Sequence, residues 1–134
     1  MWDNNVSIAG NVVREPEIKY TQGGTALAKF SVAVNEKKGD EERTHYFDVT
    51  TFGRCAENVG NSVSKGDRVS VQGKLEQQTW ETDGGDKRSK VAIVADDVAV
   101  SLKWKGATVS GDSGGDGGSR QSSSQGYTPG SEPF

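Results

Sequence analysis

The chain has 134 residues, of which 31% are hydrophobic and 26% charged, and its formal net charge is −3. That length holds one domain with a single core plus a tail, and with no long apolar run a membrane span is excluded. Met1-Trp2-Asp3 does not open a signal peptide; a lone cysteine, Cys55, rules out an internal disulfide and fits a reducing cytosol, leaving only a link between subunits.

In chain order, Val6, Ile8, Gly10 and Val12 alternate with polar residues, the period of a strand. Ala26, Ala28, Phe30, Val32 and Val34 form a second run of the same kind. In a third, Phe47, Val49 and Thr51 share one face, with Tyr46, Asp48, Thr50 and Phe52 on the other. Arg54 to Val63 reads as one short helix, because Cys55, Ala56, Val59 and Val63 recur at helical spacing. Val69, Val71, Gly73 and Leu75 make a fourth strand, and Val91, Ile93 and Ala95 a fifth. The turns Gln22-Gly23-Gly24, Lys38-Gly39-Asp40, Lys65-Gly66-Asp67 and Asp83-Gly84-Gly85-Asp86 separate them. The reading is all-β: an OB-fold five-stranded Greek-key barrel over residues 1–105 with one short helix between strands 3 and 4. An SH3-like barrel, the main rival, does not normally place a helix there. Val98, Val100 and Leu102 predict a further strand after the barrel. That strand, Trp2 and Trp104 have no place in a minimal barrel, and apolar edges of this sort point to an oligomer.

Residues 106–134 are of another kind: fifteen of these twenty-nine are Gly or Ser. Such a segment cannot bury enough apolar surface to offset its ordering entropy, so a disordered tether is expected. It finishes in Ser131-Glu132-Pro133-Phe134, where Glu132, Pro133 and Phe134 read as a protein-docking tip for a hydrophobic pocket with a basic rim. Residues 1–105 carry fifteen Lys and Arg against sixteen Asp and Glu, and the tail one against three. A near-neutral domain can still present a basic groove, so a polyanionic partner is not excluded.

Tyr46 and Phe52, six residues apart on one strand, project from the polar face opposite Phe47 and Val49. Arg54 follows after Gly53, which would let a ligand or another backbone approach, and Trp80 closes the fourth strand before its hairpin turn. Exposed aromatics beside cations hold single-stranded nucleic acids without reading sequence, through base stacking and phosphate neutralisation. The competing reading buries Tyr46, Phe52 and Trp80 in a subunit interface.

From Val6 to Lys105 the chain resembles the bacterial single-stranded-DNA-binding protein family. The resemblance is carried by Asn4-Asn5-Val6-Ser7-Ile8-Ala9-Gly10-Asn11-Val12, Glu15-Pro16-Glu17-Ile18-Lys19-Tyr20 and Ala28-Lys29-Phe30-Ser31-Val32-Ala33-Val34-Asn35. It continues through Tyr46-Phe47-Asp48-Val49-Thr50-Thr51-Phe52-Gly53-Arg54, Ala56-Glu57, Lys65-Gly66-Asp67-Arg68-Val69, Gly73-Lys74-Leu75 and Thr79-Trp80. It implies base stacking on Tyr46, Phe52 and Trp80, and phosphate contacts from Lys19, Arg54 and Lys65. Lys29, Lys37, Lys38 and Lys74 join as further phosphate candidates from charge and strand placement. It also implies a homotetramer, no cofactor, and a cytoplasmic, nucleoid-associated protein whose tip docks replication and repair proteins. Three departures stand out: Glu36-Lys37-Lys38 where the family has a further aromatic, Glu76-Gln77-Gln78-Thr79 in place of a basic cluster, and a lone Glu132 in place of a run of Asp. The first two predict weaker DNA binding, and the third a loss of charge steering at the tip.

An enzyme is not expected. His45 and Cys55 could pair as base and nucleophile, but no third residue orients the histidine. Asp96-Asp97 are adjacent on a strand and so point to opposite faces, which suits solvating a strand end better than holding a metal. Asp83-Gly84-Gly85-Asp86 lacks the spaced acids of a calcium loop, and no phosphate-cradling glycine motif precedes a helix. The alternative of another class is an OB-fold protein–protein adaptor or RNA-binding module with little DNA affinity.

Overall fold

The computed structural model describes residues 3–109. Among these, six strands and one helix follow in order: β1 (Val6–Val12), β2 (Glu17–Tyr20), β3 (Ala26–Lys38), β4 (Glu41–Phe52), α1 (Gly53–Ser62), β5 (Arg68–Glu81) and β6 (Lys87–Val100). They form one sheet in the order β1-β5-β6-β4-β3-β2, and an additional β1–β3 pairing closes it into a barrel. Closure is short, through Asn11 opposite Ala33 and Val12 opposite Val32. The barrel proper therefore has the five expected strands, β1, β5, β6, β4 and β3, with β2 flanking β3. No helix of the described residues is long and apolar enough to cross a membrane.

Alternation decides what faces inward. Ala26, Ala28, Phe30 and Val32 of β3, Val49 and Thr51 of β4, Val69 and Val71 of β5, and Ile93 and Ala95 of β6 are all buried. α1 adds Ala56 and Val59, and Val63 just beyond it, to the same cluster. At Gly10 and Gly73 strands pass so close that a Cβ would collide with the backbone carbonyls of Ala33 and Val94 respectively. Those two alternation positions take glycine because a neighbouring strand occupies the space.

The structure corrects the sequence reading in several places. Glu17–Tyr20 is a strand, paired with β3 and held by Ile18 against the core. Among the described residues no separate strand follows the barrel: β6 runs unbroken through Val98 and Val100, opposite Val71 and Val69, and Leu102 lies past its end. Asp96 and Asp97 sit not at a strand end but within β6, where a register shift at Gln72/Gly73 leaves Asp96 as the extra residue of a β-bulge. Phe47, Leu75 and Val91, assigned to the inner series, are exposed. The helix begins one residue earlier, at Gly53, and Val63 caps it.

The first unit of the chain ends at Trp104. The docking-tip residues Glu132, Pro133 and Phe134 lie outside the described residues, as does Trp2.

Candidate nucleic-acid interface

The outer side of the sheet follows from the same alternation that fills the core. On β4, Tyr46, Asp48 and Phe52 face outward, with Thr50 on the same side but buried; their partners on β3 are Ala33, Ser31, Leu27 and, for Thr50, Lys29. β2 extends the row, since Lys19 pairs with Leu27 and Glu17 with Lys29. Lys19 thus stands two strands from Phe52, about 10 Å away, and Lys29 lies beside Thr50 between the two aromatics. Tyr46 and Phe52 are 67% and 46% exposed and about 20 Å apart along the strand. Trp80, 47% exposed, stands opposite Arg88 on the β5–β6 arm. It lines a shallow groove of about 720 Å³ with Gln77, Thr79, Glu81, Lys87, Arg88 and Ser89.

Gly53 adopts φ +69°, a left-handed conformation that turns β4 into α1, and nothing lies within 4 Å of the Cβ it lacks. Arg54 is thereby set, exposed, in the first turn of the helix, directly after Phe52. That turn contains no acid, so the positive end of the helix lies beside Phe52 and Arg54. Lys65 is exposed in the loop after α1, where its backbone N–H donates to Glu15 Oε1 (3.1 Å). Lys74 faces outward opposite Val94, itself the partner of Thr50, and so lies on the same row as Lys29.

Lys37 and Lys38 are placed differently. They cap the β3–β4 arm, each directly opposite an acid, Glu42 and Glu41 respectively. Each lysine therefore has an acid as its cross-strand neighbour.

At the centre of this surface is a groove of about 330 Å³. Arg14, Lys29 and Lys90 line it together with Glu15, Glu17 and Asp48. Lys90 Nζ lies 3.0 Å from Asp48 Oδ2, and the Ser31 hydroxyl donates to Asp48 Oδ1 at 2.8 Å. The Lys90 ammonium and then the Ser31 hydroxyl hold the Asp48 carboxyl below its ordinary value. Reading the sequence missed Arg14, Arg88, Lys90 and the role of Asp48. Lys87-Arg88-Ser89-Lys90, three cations in four residues after the hairpin turn, was a signal for two of them. Arg14 and Asp48 left none, because what surrounds them is brought together by non-local register.

The pairing of His45 with Cys55 does not occur. His45 lies seven residues before Phe52 on an extended strand, which puts it roughly 20 Å or more from the helix bearing Cys55. Its Nε2 is 3.6 Å from Glu36 Oε1. Among the described residues no three metal-ligating side chains cluster.

A five-stranded barrel with a helix between its third and fourth strands is an OB fold, and exposed aromatics flanked by lysines on its outer sheet are the surface chemistry of single-strand-handling OB domains. Residues 3–101 match the model of the single-strand binding protein family. The chain belongs to that family. A single-stranded DNA-binding protein of Treponema pallidum is 42% identical over 101 residues, covering 72% of this chain and 57% of the relative. One from Corynebacterium glutamicum is 37% identical over 114 residues, covering 80% and 51%. One from Mycobacterium bovis is 35% identical over 138 residues, covering 98% and 79%. Against the first two, the chain spans little more than half of the relative's length.

Proposed function

We propose that this protein binds single-stranded DNA largely regardless of sequence, without enzymatic activity, and keeps strands unpaired and protected during replication, repair and recombination. The observation that carries the reading is the exposure of Tyr46, Phe52 and Trp80 on one outer surface, with Lys19, Lys29 and Arg88 in register beside them. Bases stack on the three rings, while Lys19, Arg54 and Lys65, joined by Lys29 and Lys74, neutralise phosphates. Its setting is the cytoplasm, with the nucleoid. The working form is a homotetramer, supported by the apolar side chains of Val100, Leu102 and Trp104, all exposed on the single chain. Partner enzymes of replication and repair dock on Glu132-Pro133-Phe134, a part of the reading that stands on sequence and family alone.

Titrating the intrinsic tryptophan fluorescence with oligo(dT), duplex DNA and RNA of equal length, across a salt series, tests this. Expected are strong quenching by oligo(dT), little response to duplex, and a log–log salt slope of about −0.7 per phosphate neutralised. Phe52→Ala and Trp80→Ala should each weaken oligo(dT) binding by about 1–3 kcal/mol with folding intact. The second reading, a protein adaptor, draws on the balanced charge of the central groove. It requires both substitutions to leave strand affinity unchanged.

A further inference from the structure

The central groove has a feature that simple phosphate neutralisation does not explain: one of its cations, Lys90, is already engaged by an acid of the same chain. Arg14, Lys29 and Lys90 line the groove with Glu15, Glu17 and Asp48, and Lys29 is the cross-strand partner of Glu17. Asp48 is the focal one. It lies on the outward face of β4, between Tyr46 and Phe52, where a strand crossing from one ring to the other must pass. Both its carboxylate oxygens are used, one by Lys90 Nζ and one by the Ser31 hydroxyl. Arg14 is near enough to favour its charged form as well.

We infer that Asp48 is an internal competitor for the strand: it takes the place of a phosphate on Lys90 and Ser31, and binding proceeds by exchange of this carboxylate for the DNA backbone. This deepens the strand-binding proposal and rests on it. The exchange is feasible because the pair is exposed, with side chains 46% (Lys90) and 51% (Asp48) accessible. An exposed pair of this kind is weak enough to be displaced by a polyanion. A phosphate oxygen accepts from an ammonium and a hydroxyl as a carboxylate does, so neither donor need move far. The consequence is a specificity device. A lone anion or a poorly stacked strand gains little by displacing Asp48, whereas a strand also stacked on Tyr46 and Phe52 is held while the exchange occurs. Asp48 thereby lowers overall affinity and makes binding depend more on stacking.

The test uses the full chain and oligo(dT) over a salt series, with Asp48→Asn, Lys90→Ala and the double variant. Asp48→Asn keeps the size of the side chain and a hydrogen-bond acceptor for Ser31 but removes the charge. It should tighten binding about three- to tenfold at low salt and steepen the log–log slope by about 0.7, the increment for one further cation engaged. Lys90→Ala should cost little in the native background and several-fold more in the Asp48→Asn background, because the lysine there is free for phosphate. Thermal unfolding of each variant checks that the barrel is intact. If Asp48→Asn binds with the native affinity and slope, or more weakly while folded, the inference is overturned and the strand-binding proposal survives. Equal costs of Lys90→Ala in both backgrounds overturn it too. If neither native protein nor variant binds oligo(dT) at low salt, both fall.

Discussion

The barrel wall and the two hairpin arms that extend from it are continuous strands with the same alternation, yet they bury different amounts. Ile93 and Leu75 face each other across the β5–β6 ladder, and Ile93 is 1% exposed while Leu75 is 44% exposed. Val32 and Phe47 are likewise partners across β3–β4, the first buried and the second not. Val91, one step further along β6, is more open still. Alternation dictates which side of a sheet a residue takes; whether that side is covered depends on what closes over it. In the barrel, β1 meets β3 and α1 packs on the core, and in the arms no further element of the described chain does so.

The contrast can be broken most sharply at glycine. A Cβ at Gly73 meets the Val94 carbonyl and Ala95 Cα, whereas one at Gly84, in the β5–β6 turn, meets only Thr82 Oγ1 at 4.0 Å. Gly73→Ala should therefore remove roughly 3 kcal/mol or more of stability, and Gly84→Ala less than about 0.5 kcal/mol, measured by urea unfolding. Equal midpoints would show that the barrel yields at the bulge as easily as the arm. Next in size, Ile93→Ala should cost about 2–5 kcal/mol and Val91→Ala under about 1 kcal/mol. A large, concentration-dependent loss for Val91→Ala would mean that a second copy covers the arms. The smallest effect concerns acid. With its pKa lowered on folding, Asp48 contributes stability that is present above its ordinary value of 3.8 and is lost as pH falls through the lower folded value. Asp48→Asn should flatten that acid limb slightly, seen as a smaller drop in melting temperature below about pH 4. An unchanged limb would place the carboxylate in the same environment folded and unfolded.

Much of this was legible beforehand. The five barrel strands, the helix after Phe52 and the glycine turns follow from period-two and helical spacing, and so does the outward placement of Tyr46 and Phe52. β2 escaped because it has four residues and a single half-buried side chain, Ile18, whose support comes from the core. The run of β6 through the bulge escaped because a bulge shifts the alternation, which makes one strand look like two. The Asp48–Lys90 pair joins residues forty-two apart on different hairpins, through a β4–β6 contact that is parallel and only two residues long. No local pattern announces such a contact. The burial of Phe47, Leu75 and Val91 was over-read for the reason already given: their side was right and their cover was absent.

The β1–β5 pairing has a consequence for how the chain comes to be folded. Val6 meets Gly73 and Asn11 meets Arg68, so the first strand made is completed by a partner some sixty residues later. The β3–β4 hairpin, joined by a two-residue turn, can form in microseconds once both halves exist. During synthesis at about 5–20 residues per second, β1 must wait several seconds for β5 to emerge. Its apolar side is exposed throughout that interval. The slow event in making this molecule is thus the return of its beginning to its middle, and nascent chains halted before residue 68 should be the ones that engage chaperones.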